Sequence, residues 1–341
     1  MYKYHKYHKY HKYRLLLIGL VVVSLAVMGF VRAAYQPLNF SGIQTLQITP
    51  GTSLYRLTSN LSEHHLQIPD WMFLLIARLT AFQGPILAGE YAVEDDFNAI
   101  QLLAVLRKGD TVQRTVTFLE GWAFDQWRSH LRKQKQIRPD SALLTDTEIM
   151  QRIRLDESLA GTNPEGWFFP DTYFYSAGDS DLDLLQRAHK AMLGQLEVAW
   201  LKRDQQETQL TRYESLILAS MIEKETGRLT DRTKIAAVFL NRLKRGMRLQ
   251  SDPTVIYGLG KEYDGNLVRA DLLGDTAHNT YVHKGLPPTP ISMPGQESIN
   301  SVMHPARTDY LYFVARGDGS SEFSRTLQAH NRAVRLYQMG N

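Results

Sequence analysis

The first strong pattern in the chain is an apolar segment near its start. From Leu15 to Val31 no residue is charged, and Arg14 and Arg32 flank the segment. Residues 33–35 can extend it to the length that a membrane-crossing helix needs. More basic residues precede the segment than follow it, which favours a cytoplasmic N-terminus. We predict an uncleaved anchor over residues 15–34. A cleaved signal peptide is the alternative, although the segment is long for one and no A-x-A site follows.

After a polar linker, short strands and helices alternate. In chain order the patterns predict a strand at LQITPG, helices over 53–61 and 70–79, a strand at Ala88–Val93 and a helix at Asn98–Arg107 that Gly109 ends. This β-α-α-β-α block holds no cluster of acidic residues or histidines. Structural support or glycan binding is therefore its predicted role.

The rest of the chain predicts a larger α+β region with proline-rich loops. Residues 111–160 begin with a strand and then become polar, which is typical of a connecting region. EGWFFPDTYFY, at Glu165–Tyr175, packs six aromatic residues into eleven positions. It fits a turn that forms core, and it equally fits an aromatic wall on which sugar rings stack. Near the end, YLYFVARGDGSSEFS predicts a β-hairpin with a Gly-Asp-Gly turn.

One helix of this region places two carboxylates in an apolar run. ESLILASMIEKETG, at Glu214–Gly227, has apolar side chains at Leu218, Met221 and Ile222, and Glu225 is the next position on that stripe. Burial raises the pKa of a carboxyl group, and a carboxylic acid that stays protonated near neutral pH can act as a general acid. Glu223 lies roughly 200° around the helix from Glu225, so we expect it to point elsewhere. A solvent-exposed helix end is the alternative interpretation.

Charge and composition exclude some classes of protein. The net charge is +4, but five basic residues before position 15 account for it, and the remainder is close to neutral. The body therefore lacks the basic surface of a nucleic-acid binder. The leader YKYHKYHKYHKY reads as a solvated basic segment rather than a metal site, and no histidine pair elsewhere has ligand spacing. The absence of cysteine suits an extracytoplasmic body. No metal or cofactor is predicted.

Several longer motifs follow one another in a fixed order. They are AGEY, EGWFFPDTY, ASMIEKETG, VFLNRLKRGMRLQSDPTVIYGLG, NTY, GLPPTPISMPG and YLYFVA. Together with the N-terminal anchor they resemble the MltG-type (YceG-like) endolytic peptidoglycan transglycosylases, from about residue 15 to the C-terminus. Thr289 stands where that pattern leads us to expect glycine, and Met293 where a small polar residue is common.

The resemblance implies a domain organisation. It is a cytoplasmic leader (1–14), a transmembrane anchor (15–34), a linker (35–45), a LysM-like subdomain (46–110), a connecting region (111–160) and a catalytic transglycosylase domain (161–341). It implies a single-pass protein of the inner (cytoplasmic) membrane with a periplasmic body. The implied partners are peptidoglycan glycan strands, the membrane and peptidoglycan synthases of the elongation or division machinery, with no nucleic acid.

The resemblance also implies the chemistry. Such enzymes cleave the MurNAc–GlcNAc bond of nascent strands and leave a 1,6-anhydro-MurNAc end, and the key glutamate of the E-K-E-T motif falls on Glu225. The candidates for binding and orienting substrate are Asn241, Gln250, Asp252, Tyr257, Asn279 and Tyr281. Asp252, before Pro253, also reads as a helix N-cap. The alternatives are a hydrolytic muramidase that uses Glu225 and Asp252, and a glycan-binding scaffold without catalysis.

Overall fold

The computed structural model describes residues 2–40, 45–49, 51–63, 68–153 and 163–338. Parts of the predicted linker (41–44) and of the connecting region (154–160), and both ends of the predicted catalytic domain (161–162 and 339–341), lie outside the described residues. The chain divides into two compact units. The first unit is Met1–Arg114 with Ser176–Gly178, and the second is Thr115–Tyr175 with Asp179–Asn341.

The first unit opens with one long helix, α1 (Tyr2–Ala34). Within it, Tyr13–Ala34 is long and apolar enough to cross a membrane, with a mean hydropathy of 2.5. Leucine and valine side chains of this stretch are exposed on the protein surface, as Leu20 is to 70%. The end of the helix differs, because Ala34 is buried in the core of the first unit.

The remainder of the first unit has the predicted order of elements. It consists of β1 (Thr45–Ile48), α2 (Leu54–Glu63), α3 (Asp70–Leu79), β2 (Gly89–Ala92) and α4 (Ala99–Lys108). β1 and β2 pair antiparallel, with Leu46 opposite Tyr91. α4 starts with a capping box made by Asn98 and Gln101, and it ends at Gly109 in the left-handed conformation. Its buried residues Ala99, Leu102, Leu103 and Leu106 belong to the core of this unit, and the helix contacts α3.

The second unit is mostly helical and contains two small sheets. Its elements are β3 (Arg114–Thr117), α5 (Phe124–Arg132), α6 (Asp146–Ile153), β4 (Thr172–Tyr175), α7 (Asp181–Leu201), α8 (Arg212–Glu225), α9 (Leu229–Lys244), α10 (Asp252–Leu259), α11 (Arg269–Leu273), α12 (Gln296–Met303), β5 (Tyr312–Ala315), β6 (Ser321–Ser324) and α13 (Leu327–Tyr337). β3 pairs with β4. β5 and β6 form the antiparallel hairpin that the sequence predicted. The molecule is thus a mixed helix and sheet protein with an N-terminal apolar helix, as expected.

The centre of the second unit is α8, which α7, α9 and α12 surround. The aromatic EGWFFPDTYFY segment contributes to this core. Trp167 and Phe168 are fully buried, and Trp167 stacks on Tyr213 at the start of α8. These two rings therefore form core and do not offer open faces to a sugar. Phe174 is the member of the segment with the most exposed large apolar side chain, at 59%.

Candidate active site

Glu225 is the last residue of α8. The helix begins with a capping box, in which Thr211 and Glu214 bond each other's backbone N–H groups. Every residue from 215 to 222 is buried. The predicted burial of Leu218, Met221 and Ile222 is confirmed, and the burial extends around the whole helix because neighbouring elements enclose α8 on all sides. Glu225 reaches the edge of the core because the helix ends there, and Thr226 continues in an extended conformation.

The carboxyl group of Glu225 is held by a serine from a distant loop. Ser251 Oγ donates a hydrogen bond of 2.5 Å to Glu225 Oε1. Burial raises the pKa of Glu225 to about 7, and the negative charge of Asp252 acts in the same direction. The bond from Ser251 and the positive charge of Arg242 lower that pKa and offset part of the rise. A carboxyl group with a pKa near 7 is protonated in a large fraction of molecules at neutral pH and can donate its proton.

The loop that carries Ser251 is fixed by a neighbouring segment. The backbone N–H of Gln250 donates to the carbonyl of Thr280 at 3.1 Å, and that of Ser251 donates to Thr280 Oγ1 at 3.0 Å. Gln250 has a φ of 52°, the left-handed region that residues other than glycine seldom adopt. Thr254 Oγ1 lies 2.9 Å from Thr280 Oγ1. This arrangement directs the Ser251 side chain towards Glu225.

A cavity of about 460 Å³ opens beside Glu225. Its polar wall consists of Glu225, Arg242, Gln250, Asp252 and Tyr281. A second wall comes from the β5–β6 hairpin, with Phe313 and Val314, and from α13, with His330 and Val334. The volume lies within the range of small-molecule and cofactor sites, roughly 300–1,000 Å³.

Arg242 connects the two walls of the cavity. It lies on α9, and 7% of its surface is exposed. Its Nε donates to the carbonyl of Leu311 at 2.7 Å, next to the hairpin, and its guanidinium also donates to the carbonyl of Leu249 at 2.8 Å. The guanidinium lies over the ring of Tyr312, 5.2 Å from its centroid. The buried cation thus holds the hairpin and the Ser251 loop in place.

Asp252 does not occupy the position that its sequence context indicated. Ser251 is the N-cap of α10 and Asp252 is the first helical residue, so the prediction of Asp252 as N-cap is wrong. The side chain of Ser251 makes no capping bond, and its hydroxyl donates to Glu225. The carboxylate of Asp252 accepts a 2.5 Å hydrogen bond from the hydroxyl of Tyr281. Asp252 and Tyr281 therefore form a hydrogen-bonded pair on the polar wall.

The structure brings three of the six predicted substrate-binding residues to the cavity: Gln250, Asp252 and Tyr281. The other three use their polar groups within the fold. Asn241 Nδ2 donates to the carbonyls of Thr308 and Tyr310, at 2.9 and 3.0 Å. Asn279 is completely buried, and its Nδ2 donates to three carbonyl groups between Asp271 and Gly274. The hydroxyl of Tyr257 donates to Glu165.

Glu165 is a second buried carboxyl group whose pKa burial raises to about 7. Only 4% of its surface is exposed. Both of its oxygens lie 3.2 Å from the backbone nitrogen of Phe124, and Oε2 accepts from Tyr257 at 3.1 Å. Glu165 therefore joins the start of α5 to α10. The sequence contained this glutamate in the EGWFFPDTY motif but gave no sign of its role.

Glu223 points away from Glu225, as the helical spacing predicted. Its side chain forms an ion pair with Arg232 of α9 at 2.9 Å and accepts from the backbone nitrogen of Gly295 at 2.9 Å. Both partners of the ion pair are about 5% exposed. A buried carboxylate paired in this way fixes α8 against α9 and the loop before α12.

The two departures from the motif pattern, Met293 and Thr289, have different surroundings. Met293 is fully buried and contributes to the main apolar cluster. Thr289 Oγ1 lies 2.9 Å from Nε2 of His278, whose ring packs edge-on against Tyr257 with the centroids 4.8 Å apart. Thr289 therefore belongs to the surroundings of Glu165 and Tyr257.

Ser251 and Arg242 make hydrogen bonds that hold the site together, although the sequence did not predict a role for either. Ser251 precedes Asp252 in the quoted motif, but a serine hydroxyl bonded to a residue 26 positions earlier leaves no local pattern. Arg242 lies on a helix that also carries Arg232, Lys234 and Lys244, and the sequence does not show which of these basic residues are buried. A signal was available for Arg242, since it lies seven residues after Ile235 and three after Phe239, on the same apolar face of α9.

Comparison with known proteins agrees with this architecture. The family model described as YceG-like matches residues 46–336. The chain belongs to the YceG-like family. A crystal structure of a YceG-like protein from Listeria monocytogenes superposes with a TM-score of 0.54 and 28% sequence identity, covering 84% of this chain and 97% of that one.

Two curated relatives of this YceG-like chain are named endolytic murein transglycosylase. The protein from Bacillus subtilis is 42% identical over 175 residues, which are 51% of this chain and 48% of the relative. The protein from Streptococcus pneumoniae strain R6 is 27% identical over 319 residues, which are 85% of this chain and 57% of the relative. The chain thus spans about half the length of the curated relatives it matches.

Proposed function

We propose that this protein is a membrane-anchored endolytic murein transglycosylase that cleaves the MurNAc–GlcNAc bond of nascent peptidoglycan strands. The observation that carries the proposal is a carboxyl group with a pKa of about 7, Glu225, on the wall of a cavity of about 460 Å³. The name shared by the curated relatives supports the same activity.

In the proposed reaction, Glu225 acts first as a general acid and then as a base. The carboxylic acid gives its proton to the glycosidic oxygen, which leaves as the 4-hydroxyl of GlcNAc while the C1–O bond of MurNAc breaks. The resulting carboxylate takes the proton of the MurNAc C6 hydroxyl, whose oxygen closes on C1. The product is 1,6-anhydro-MurNAc, no water is consumed, and Glu225 is protonated again at the end.

The neighbours of Glu225 fit this cycle. Ser251 donates to Glu225 Oε1, so it stabilises the carboxylate that exists between the two proton transfers. Gln250, Asp252 and Tyr281 line the polar wall and would orient the sugar hydroxyl and N-acetyl groups. The apolar wall around Phe313 would exclude water from C1 and favour attack by the C6 hydroxyl.

Hydrolysis is the second candidate, because Asp252 lies on the same cavity as Glu225. A muramidase would use Asp252 to activate water or to attack C1. Against this, the carboxylate of Asp252 already accepts a short hydrogen bond from Tyr281. We therefore assign Asp252 a positioning role.

The proposal places the protein in the inner (cytoplasmic) membrane. α1 crosses the bilayer once with its N-terminus in the cytoplasm and the catalytic unit in the periplasm, where nascent glycan lies. The β-α-α-β-α block acts as a LysM-like glycan-binding subdomain, and peptidoglycan synthases are the expected protein partners. A periplasm-specific reporter joined after Asn341 should be active, and activity of a cytoplasm-specific reporter would contradict this topology.

Digestion of purified glycan strands in ¹⁸O-labelled water tests the activity. Lytic cleavage gives anhydro ends that weigh one water less than reducing ends and carry no label. Label at the new MurNAc C1 would show hydrolysis and contradict the proposal. Intact glycan in the presence of bound, folded protein would indicate a scaffold. The matched control is Glu225→Gln, which should leave the glycan intact.

A further inference from the structure

Helix α3 of the first unit is apolar on two opposite faces. One face, with Phe73, Ile76 and Ala77, is buried in the core of the unit. The other face carries large apolar side chains that are exposed. They are Trp71 (61% exposed), Leu75 (39%) and Leu79 (60%), followed by Phe82 (84%) in the short 3₁₀ turn after the helix. We call these four residues the apolar ridge.

The spacing of the ridge makes it one surface. Trp71, Leu75 and Leu79 are four residues apart, so they fall within an arc of about 80° on the helix. A helix that is apolar all round is normally covered on both sides. Groups of exposed apolar side chains mark surfaces that contact another protein, a ligand or a membrane. We therefore expect another molecule or a membrane to cover the ridge.

The end of the apolar helix α1 lies beside α3. The two helices are in contact, Ala34 is 3% exposed within the core of the first unit, and Phe30 packs against the same core. The β-α-α-β-α block is thus joined directly to the end of α1 by side-chain packing. Any surface that surrounds the end of α1 also lies close to α3.

The length of the apolar segment determines how deep in the bilayer the contact between α1 and the β-α-α-β-α block lies. Leu15–Val31 spans about 25 Å as a helix, somewhat less than the ~30 Å hydrocarbon core of a bilayer. Residues that follow Val31 would therefore lie at the boundary between the hydrocarbon and the headgroups. Ala34, which is buried in the first unit, is among them. The unit must then lie against the membrane surface, because it contacts α1 at headgroup depth.

We propose that the apolar ridge inserts into the interfacial layer of the bilayer that α1 spans. This inference rests on the proposed membrane anchor. Trp71 and Phe82 would lie at the headgroup level, where aromatic rings are enriched, and Leu75 and Leu79 would reach the ends of the acyl chains. Arg78, exposed on the same side of α3, would contact lipid phosphates. The membrane would then hold the first unit at two places, the span and the ridge.

A glycan strand fits the ridge less well. Sugar sites combine aromatic faces with several hydrogen-bonding groups, whereas Leu75 and Leu79 have none, Phe82 has only a ring face, and Trp71 adds a ring face with a single N–H donor. Lipid requires no such groups. A second copy of the chain or another protein could also cover the ridge, and the experiment below separates these occupants.

The chain has no cysteine, so single cysteines can carry a nitroxide label without further changes. Three full-length variants are placed in nanodiscs of phosphatidylglycerol and phosphatidylethanolamine: Leu20→Cys in α1, Leu79→Cys on the ridge, and Asp95→Cys at an exposed polar site of the first unit. Power-saturation EPR then compares access of O₂, which concentrates in lipid, with access of a water-soluble nickel chelate.

We expect the labels at 20 and 79 to be open to O₂ and shielded from nickel, with position 79 nearer the surface, and the label at 95 to show the reverse. A label at 79 that behaves like the one at 95, while position 20 stays in lipid, would overturn the ridge proposal and leave the anchor intact. A label at 79 shielded from both reagents would mean a protein occupant and would also overturn it. A label at 20 in water would refute the anchor and, with it, this inference.

Discussion

Two glutamates of the second unit have the same perturbed acidity and opposite surroundings. Burial raises the pKa of both Glu165 and Glu225 to about 7. Glu165 is closed in, with Phe124 and Tyr257 donating to its carboxyl oxygens. Glu225 has Ser251 as its hydrogen-bond donor and faces a cavity of about 460 Å³. A raised pKa alone therefore does not mark the reacting group, since a substrate can reach only one of the two.

The difference also separates two uses of a neutral carboxyl group. The carboxyl group of Glu165 links α5 to α10, and it is too enclosed to exchange a proton with a substrate. At Glu225, Ser251 donates to Oε1 and the residue lines the cavity, where a glycosidic oxygen could receive the proton of the carboxyl group. The enclosed Glu165 therefore has a structural role, whereas the accessible Glu225 is the candidate catalytic acid.

The largest expected effect comes from Glu225→Gln. The amide keeps the volume of the side chain but has no transferable proton, so glycan cleavage should fall by at least about 10²–10⁴. Thermal unfolding should show a folded protein. Glu223→Gln, on the same helix, is the control. It weakens a buried ion pair and lowers stability, but where the variant folds it should keep much more activity. Equal loss from both substitutions would break the assignment.

Glu165→Gln should affect stability more than catalysis. The pKa of Glu165 is raised in the folded protein, so its stabilising contribution is full below about pH 4.5 and is lost as the pH rises to about 7. The wild type should therefore lose about 3 kcal/mol from this group across that window. The stability of the Glu165→Gln variant should not change with pH at this position, but the new amide N–H has no hydrogen-bond partner. The melting temperature of the variant should therefore lie below that of the wild type at pH 5, and the difference between the two should be smaller at pH 8. An unchanged difference would contradict the account.

Ser251→Ala should lower activity about tenfold, because the carboxylate form of Glu225 loses a hydrogen-bond donor. The bond from Ser251 lowers the pKa of Glu225, so its removal should raise that pKa. The pH at which activity declines should then move upward. Ser251→Thr, which keeps the hydroxyl, should restore the wild-type profile, and an alanine profile identical to wild type would show that the bond has no role.

Asp252→Asn should have the smallest effect, within about threefold in rate if the group only positions substrate. The charge of Asp252 raises the pKa of Glu225, so the decline of activity should move to lower pH, opposite to the shift from Ser251→Ala. The products should still carry anhydro ends. Near-complete loss of activity would instead favour Asp252 as a second catalytic carboxylate.

The sequence predicted the position of Glu225 well, but not that of Glu165. An apolar run that ends in Glu225 is visible in ESLILASMIEKETG, as are the hairpin and the order of elements in the first unit. Ser251, Arg242 and Glu165 act through contacts between distant segments, and periodicity does not reveal such contacts. Asn241 and Asn279 were predicted to bind substrate, but both side chains bond backbone carbonyls inside the fold. The sequence cannot separate these two roles, because asparagine serves in both. The sequence predicted the helix over 70–79 but not its exposed ridge, because an apolar pattern does not show which face of a helix is covered.

The most direct test of the central claim is the pH dependence of kcat/KM between pH 5 and 9, measured on glycan strands for the wild type and Glu165→Gln. This parameter reports the ionisation of the free enzyme. Since the acid must be protonated, activity should decline as the pH rises through about 7 in both proteins, with the same midpoint. A decline that disappears or moves by more than about one pH unit in Glu165→Gln would assign the titration to the enclosed carboxyl group and contradict the role of Glu225.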